Sequence, residues 1–135
     1  MQTNEEKKSL RGLRLLLVED NISNQKVALR YLQKWEIEAD LAENGLICLQ
    51  KIREKDYDII LMDLQMPEMD GYTAAIEIRK NEEIKYKEIP IIALSATALL
   101  DTKQKVQQAG MTDYIAKPFV PNELFTIIEQ YYKKK

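Results

Sequence analysis

Four apolar residues, Ile59 to Met62, run without interruption into a carboxylate, Asp63, and then into Pro67, Glu68, Asp70 and Gly71. An apolar run of strand length, cut off by an acid and then by turn residues, reads as a buried strand whose tip is a site. A buried strand has no structural need for an acid there, so Asp63 is the residue to explain. Two further apolar runs end the same way. Residues 13–18 stop at Glu19-Asp20-Asn21, and residues 89–94 stop at Ser95-Ala96-Thr97. A shorter run, 113–116, ends at Lys117-Pro118. Residues 37–41 alternate apolar and polar, which suits a half-exposed edge strand.

Helical patterns lie between these runs. In residues 22–35, Val27, Tyr31 and Trp35 recur every four positions, with Ala28 and Leu32 beside them, predicting one inward stripe. Leu46, Leu49 and Ile52 predict a short second helix, and Ala74, Ala75 and Ile78 a third after Asp70-Gly71, with Asp70 as its N-cap. Residues 81–88 read as a polar loop. The fourth helix, 99–109, stops at Gly110; the fifth starts at Pro121 and turns Leu124, Ile127, Ile128 and Tyr131 inward. Strands alternating with helices predict an α/β fold, a doubly wound five-stranded parallel sheet with right-handed crossovers. With an edge-type second strand the expected order is 2-1-3-4-5, flavodoxin-like. A dinucleotide-type order would want a glycine fingerprint after the first strand, where the chain has Glu19-Asp20-Asn21.

At 135 residues the chain reads as one domain over residues 11–132, with a polar tail or linker at 1–10 and a basic tail at 133–135. A formal charge of −2 argues against a nucleic-acid footprint, and no apolar run is long enough for a membrane span. The first eight residues are polar and do not read as a secretory signal, and the lone Cys48 falls in a helical pattern as a small core residue, so a cytoplasmic setting is expected, alone or as the cytoplasmic part of a membrane-bound protein. The chain has no histidine. That excludes histidine-based nucleophilic triads and histidine metal sites, and any phosphohistidine must come from a partner or from elsewhere in a larger protein.

In a parallel sheet ligands bind beyond the C-terminal strand ends, where the strand order reverses. That rule gathers Glu19, Asp20, Asp63, Ser95 and Lys117 on one rim. Clustered carboxylates raise one another's pKa, and a hard divalent cation such as Mg²⁺ relieves them, taking oxygen ligands at about 2.0–2.1 Å. With the metal and Lys117 offsetting the acids, a dianionic phosphoryl group can be accepted, and a carboxylate can serve as its nucleophile. Each residue alone has a plainer reading: a capping turn for Glu19-Asp20-Asn21, a strand-end turn residue for Asp63, a helix cap for Ser95, a solvated lysine for Lys117. The weight lies in four strand ends carrying the required groups in the required order.

Val18-Glu19-Asp20-Asn21, Met62-Asp63-Leu64-Gln65-Met66-Pro67-Glu68-Met69-Asp70-Gly71, Ile92-Ala93-Leu94-Ser95-Ala96 and Tyr114-Ile115-Ala116-Lys117-Pro118-Phe119 resemble the motifs of the response-regulator receiver domain of two-component signalling. The similarity covers about residues 13–132, and Glu19 to Gln25 is most similar to receivers of hybrid sensor histidine kinases. The resemblance implies that Asp63 is the phosphoacceptor. It implies that Asp20 and Asp63, with Glu19 and the main-chain carbonyl of Gln65, hold Mg²⁺. Ser95 and Lys117 would bind the phosphoryl oxygens, and the Lys117-Pro118 peptide bond would be cis. Ser95 and Tyr114 would form the switch that changes the surface of the fourth helix, fifth strand and fifth helix. The implied partners are a histidine kinase or a histidine phosphotransfer domain, with no nucleic acid and no membrane contact by this segment; a homodimer through the fourth and fifth helices is compatible with it. Two positions depart from the commoner family pattern: Glu at 19 and Ser at 95.

Other functions fit less well. An aspartate-nucleophile phosphohydrolase of the haloacid-dehalogenase kind needs a second Asp two residues on, where the chain has Gln65. A flavin-binding domain needs a phosphate-cradling loop after the first strand, and acids there would repel the phosphate. A receiver that signals by contact alone would not need Asp20, Asp63, Ser95 and Lys117 together. The expected protein is thus a signalling receiver, not a turnover enzyme, assisting its own Mg²⁺-dependent phosphorylation and slow dephosphorylation.

Overall fold

A computed structural model describes residues 9–96 and 100–133. Five parallel strands, β1 (Arg14–Val18), β2 (Glu38–Ala42), β3 (Ile59–Asp63), β4 (Ile91–Ser95) and β5 (Asp113–Ala116), form one sheet in the order β2-β1-β3-β4-β5. The expected order is therefore the observed one. Among the described residues six helices accompany them: α1 (Ile22–Lys34), α2 (Gly45–Glu54), α3 (Gly71–Lys80), α4 (Ile84–Glu88), α5 (Leu100–Gln108) and, after the last strand, α6 (Pro121–Lys133).

Side chains of successive strand residues point to opposite faces, and the core divides accordingly. Leu16, Val18, Ile60, Met62, Ile91 and Ala93 pack under α2 to α5 with Cys48, Ala74, Ile78 and Val106. Leu15, Leu17, Ile59, Leu61, Ile92 and Leu94 pack under α1 and α6 with Leu32, Trp35, Leu124 and Ile128. The runs in β1, β3 and β4 are continuous because both faces are covered. Trp35 meets Phe125 edge-on at 5.1 Å, tying α1 to α6.

Register places the rim. Val18 lies opposite Met62, Asp63 opposite Leu94, and Ser95 opposite Ala116, so Glu19, Asp63, Ser95 and Lys117 fall at nearly one level. The helices after β1, β2 and β3 start on side-chain caps: Asn21 accepts from the Asn24 N–H at 2.9 Å, Asn44 from Ile47 at 2.9 Å, and Asp70 from Thr73 at 2.8 Å. Each cap satisfies an orphan donor and holds its loop close to the strand end.

Four details depart from the sequence reading. The loop expected at 81–88 contains α4, which buries Tyr86 and directs its hydroxyl to the Ile52 carbonyl at 3.1 Å. Val27, expected on the inward stripe of α1, is 42% exposed, because that stripe runs through Ala28, Leu32 and Trp35. The third strand extends to Asp63, so the acid closes the ladder instead of following it. Leu10, expected in the polar tail, is buried among the α1 and α6 residues, and its N–H donates to the Trp35 carbonyl at 2.8 Å. An isolated leucine in a polar stretch carries no periodicity that could reveal this.

Candidate functional site

The β1–α1 turn delivers two acids to the rim in different ways. Glu19 is 1% exposed. Its Oε1 accepts from Lys117 Nζ at 3.0 Å, its Oε2 from the Asn21 N–H at 3.1 Å, and its carbonyl from Gln25 Nε2 at 2.8 Å. A carboxylate this buried is tolerated because it is paired and hydrogen-bonded on both oxygens. Asp20, the next residue, is exposed. The two neighbours thus differ in freedom: Glu19 is pinned, and Asp20 faces solvent.

Asp63 closes β3 at 7% exposure. Its Oδ1 lies 3.3 Å from Lys117 Nζ and accepts the Gln65 N–H at 3.4 Å. Burial, followed by the charge of Glu19, pushes its carboxyl up to about 6, against the opposing pull of Lys117 and the Gln65 N–H. Lys117 Nζ therefore bridges two carboxylates, one of which is strained by its surroundings.

Glu19, Asp20 and Asp63 each place a carboxylate oxygen within 4.8 Å of the others. The donors are oxygens alone, the set that a hard cation such as Mg²⁺ takes, and such a cation offsets both the burial of the Asp63 carboxylate and its repulsion by Glu19. The residues present fit that ion.

Ser95 ends β4 at 4% exposure, and its carbonyl accepts the Lys117 N–H at 2.8 Å, which locks the β4 and β5 ends together. The Lys117–Pro118 peptide bond is cis. Tyr114 is half-buried, packed against the core on the side of α2 to α5. A cleft of about 310 Å³ opens between Asp63, Gln65, Ser95 and Lys117. The structure thus brings together Glu19, Asp20, Asp63, Gln65, Ser95 and Lys117; Tyr114 does not line this cleft.

Three lining residues were not anticipated: Tyr72 from α3, and Thr102 and Lys105 from α5. Thr102 is 8% exposed and shares the buried stripe of α5 with Val106, which Ala109 continues just beyond the helix. A hydroxyl in phase with buried positions four and seven residues on was the available signal.

The model of the response regulator receiver domain matches residues 15–129. The chain belongs to that family. It is 46% identical over 121 residues to the peroxide stress-activated histidine kinase mak1 of Schizosaccharomyces pombe, covering 87% of this chain and 7% of that protein. It is 44% identical over 124 residues to histidine protein kinase 1 of Candida albicans, covering 86% of this chain and 5% of that protein. The chain thus spans only a small part of these relatives. Among solved structures it is similar to the receiver domain of the Pseudomonas aeruginosa sensor histidine kinase PA1611, determined with a magnesium ion in the active-site cleft. That match has a TM-score of 0.83 and 40% identity, and covers 90% of this chain and 98% of that one. It is also similar to a chain in the complex of the Saccharomyces cerevisiae histidine phosphotransfer protein Ypd1 with the receiver domain of Ssk1. There the TM-score is 0.82 at 30% identity, with 90% and 89% covered. Family membership bears out the resemblance carried by the four motifs, and with it the reading of the chain as a phosphorelay receiver.

Proposed function

We propose that Asp63 is the phosphoacceptor of this receiver and that the donor is a phosphohistidine on a histidine kinase or histidine phosphotransfer domain. A carboxylate oxygen of Asp63 attacks the phosphorus. An O–P bond forms, the P–N bond to the imidazole breaks, and its electron pair leaves with the ring nitrogen. Such transfer needs chiefly positioning and charge stabilisation from the protein. The observation that carries this reading is Lys117 Nζ set between Glu19 and Asp63, at 3.0 and 3.3 Å, on a rim where three carboxylates converge.

Glu19, Asp20, Asp63 and the main-chain carbonyl of Gln65 would hold Mg²⁺. Bound there, the ion supplies positive charge to the phosphoryl oxygens. Lys117 neutralises a further oxygen, and the Ser95 hydroxyl hydrogen-bonds another. Glu19 acts mainly as a fixed counter-charge that orients Lys117, since both its oxygens already have partners. Ser95 moving toward the phosphoryl group, with Tyr114 following, would alter the α5–β5–α6 surface that signals onward. The protein is then a signalling module whose acyl phosphate hydrolyses slowly, and in its natural setting the segment is the receiver of a hybrid histidine kinase, on the cytoplasmic side. Among the described residues no helix is long and apolar enough to cross a membrane.

Incubation with Mg²⁺ and acetyl phosphate, read by intact mass, tests this. One added phosphoryl group that hydroxylamine removes is expected. No added mass at saturating donor overturns the assignment.

A further inference from the structure

The opposite end of the sheet carries a separate cleft, of about 240 Å³, at the N-terminal strand ends. β1 brings Arg14 to it, β3 brings Ile60, and the segment leading into β4 brings Ile89. The loop between α2 and β3 adds Tyr57, and the short helix α4 adds Tyr86. Ile52, Ile60 and Tyr86 are buried, and Tyr57 and Ile89 are half-buried. The Tyr86 hydroxyl donates to the Ile52 carbonyl at 3.1 Å, and the Tyr57 hydroxyl to Asp40 at 2.7 Å. With both hydroxyls engaged, what these residues offer a ligand is ring surface. The floor is therefore apolar and aromatic.

The mouth is charged, and its cations are unequally matched. Lys55 pairs with Asp40 and Lys85 with Asp56, both at 3.0 Å. Among the described residues Arg14 approaches one carboxylate, Asp58, at 3.8 Å, and the Asp58 Oδ2 there already accepts the Arg14 main-chain N–H at 2.8 Å. That distance is too long for a hydrogen bond, so the Arg14 guanidinium makes none among the described residues. A guanidinium presents a planar fork of donors that matches both oxygens of a carboxylate. Lys85 is the next cation to hand, because its pair with Asp56 is solvent-exposed, and exposed pairs hold weakly.

We propose that this cleft binds a small aromatic carboxylate, its ring against Ile52, Ile60 and Tyr86 and its carboxylate held by Arg14 and Lys85. Size limits the class: about 150 Å³ suffices for benzene, so the volume here takes one ring with a short acid arm. Charge sets the sign, since an aryl amine would face the Arg14 guanidinium. An inorganic anion would leave the apolar floor unused. Ile60 and Asp63 stand three residues apart on β3, about 10 Å, so the ligand does not compete for the phosphoryl cleft.

Phenylacetate is the probe, titrated into the full chain and followed by amide and methyl NMR shifts. Phenylacetamide, acetate and phenethylamine are the controls. Expected are saturable binding with a Kd of about 1 mM or below, shifts centred on Ile52, Ile60 and Ile89, and binding of each control about tenfold weaker or more. Arg14→Gln should weaken phenylacetate binding about tenfold by removing a charge-assisted hydrogen bond. Asp56→Asn should tighten it about two- to fivefold by releasing Lys85, a gain that a misfolded variant would not show. No saturation by about 10 mM overturns the site. So do shifts centred on the Asp63 rim, phenylacetamide or phenethylamine binding as well as phenylacetate, or an Asp56→Asn variant that folds and binds no more tightly than wild type.

Discussion

Gly71 sits so close to Asp63 that a Cβ built on it would collide with the Asp63 carbonyl oxygen and lie 3.0 Å from Leu64 Cα. The first residue of α3 thus packs directly on the backbone that holds the candidate acceptor, and its N–H donates to the Leu64 carbonyl at 3.1 Å. Backbone cannot yield as a flexible side chain can. Gly71→Ala is expected to destabilise the fold by about 1–3 kcal/mol through overpacking. It should also slow acetyl phosphate labelling by displacing Asp63. Urea unfolding and the labelling rate, measured on the same sample, check both.

Asp63→Asn should abolish labelling. It should also raise the thermal midpoint of the metal-free protein near neutral pH, because it removes a buried charge that Glu19 repels. Calorimetry in a chelator separates this from the chemistry. A lower midpoint would mean that the Lys117 pairing outweighs burial.

The pH dependence follows with a definite sign. The folded carboxyl of Asp63 titrates at about 6, above its ordinary 3.8, so the folded state binds the proton more tightly than the unfolded chain. Its contribution to stability is complete below about 4 and is lost as pH rises through about 6. In chelator, the stability difference between wild type and Asp63→Asn should grow to the disadvantage of wild type across that window. Mg²⁺ affinity should rise across the same window, since the metal needs the carboxylate.

The sheet order and the rim were legible because buried parallel strands are continuous apolar runs, and in β1, β3 and β4 each run stops at a polar group. Asp70 as the cap of α3 was likewise carried by local chemistry, an acid placed just before a helical pattern. What stayed hidden depends on contacts between distant segments. That Glu19 is pinned while Asp20 is free follows from Lys117, ninety-eight positions away in sequence. The burial of Leu10 depends on the α1–α6 layer, and α4 is too short to show a period.

Lys117 sets the charge balance of the rim. With its side chain 13% exposed it faces a Glu19 that is 1% exposed, so Lys117→Met leaves an uncompensated buried carboxylate. Breaking such a pair from one side costs about 3–5 kcal/mol, while replacing both partners costs far less. Lys117→Met alone should therefore lower the urea midpoint sharply and slow labelling. Adding Glu19→Gln should recover much of the stability and none of the rate, because the Asn21 N–H keeps a neutral acceptor while the phosphoryl group still lacks its cation. A double-mutant cycle in urea, paired with acetyl phosphate labelling of all four proteins, separates the two roles of Lys117. If the labelling rate recovered together with stability, Lys117 would be a fold element alone.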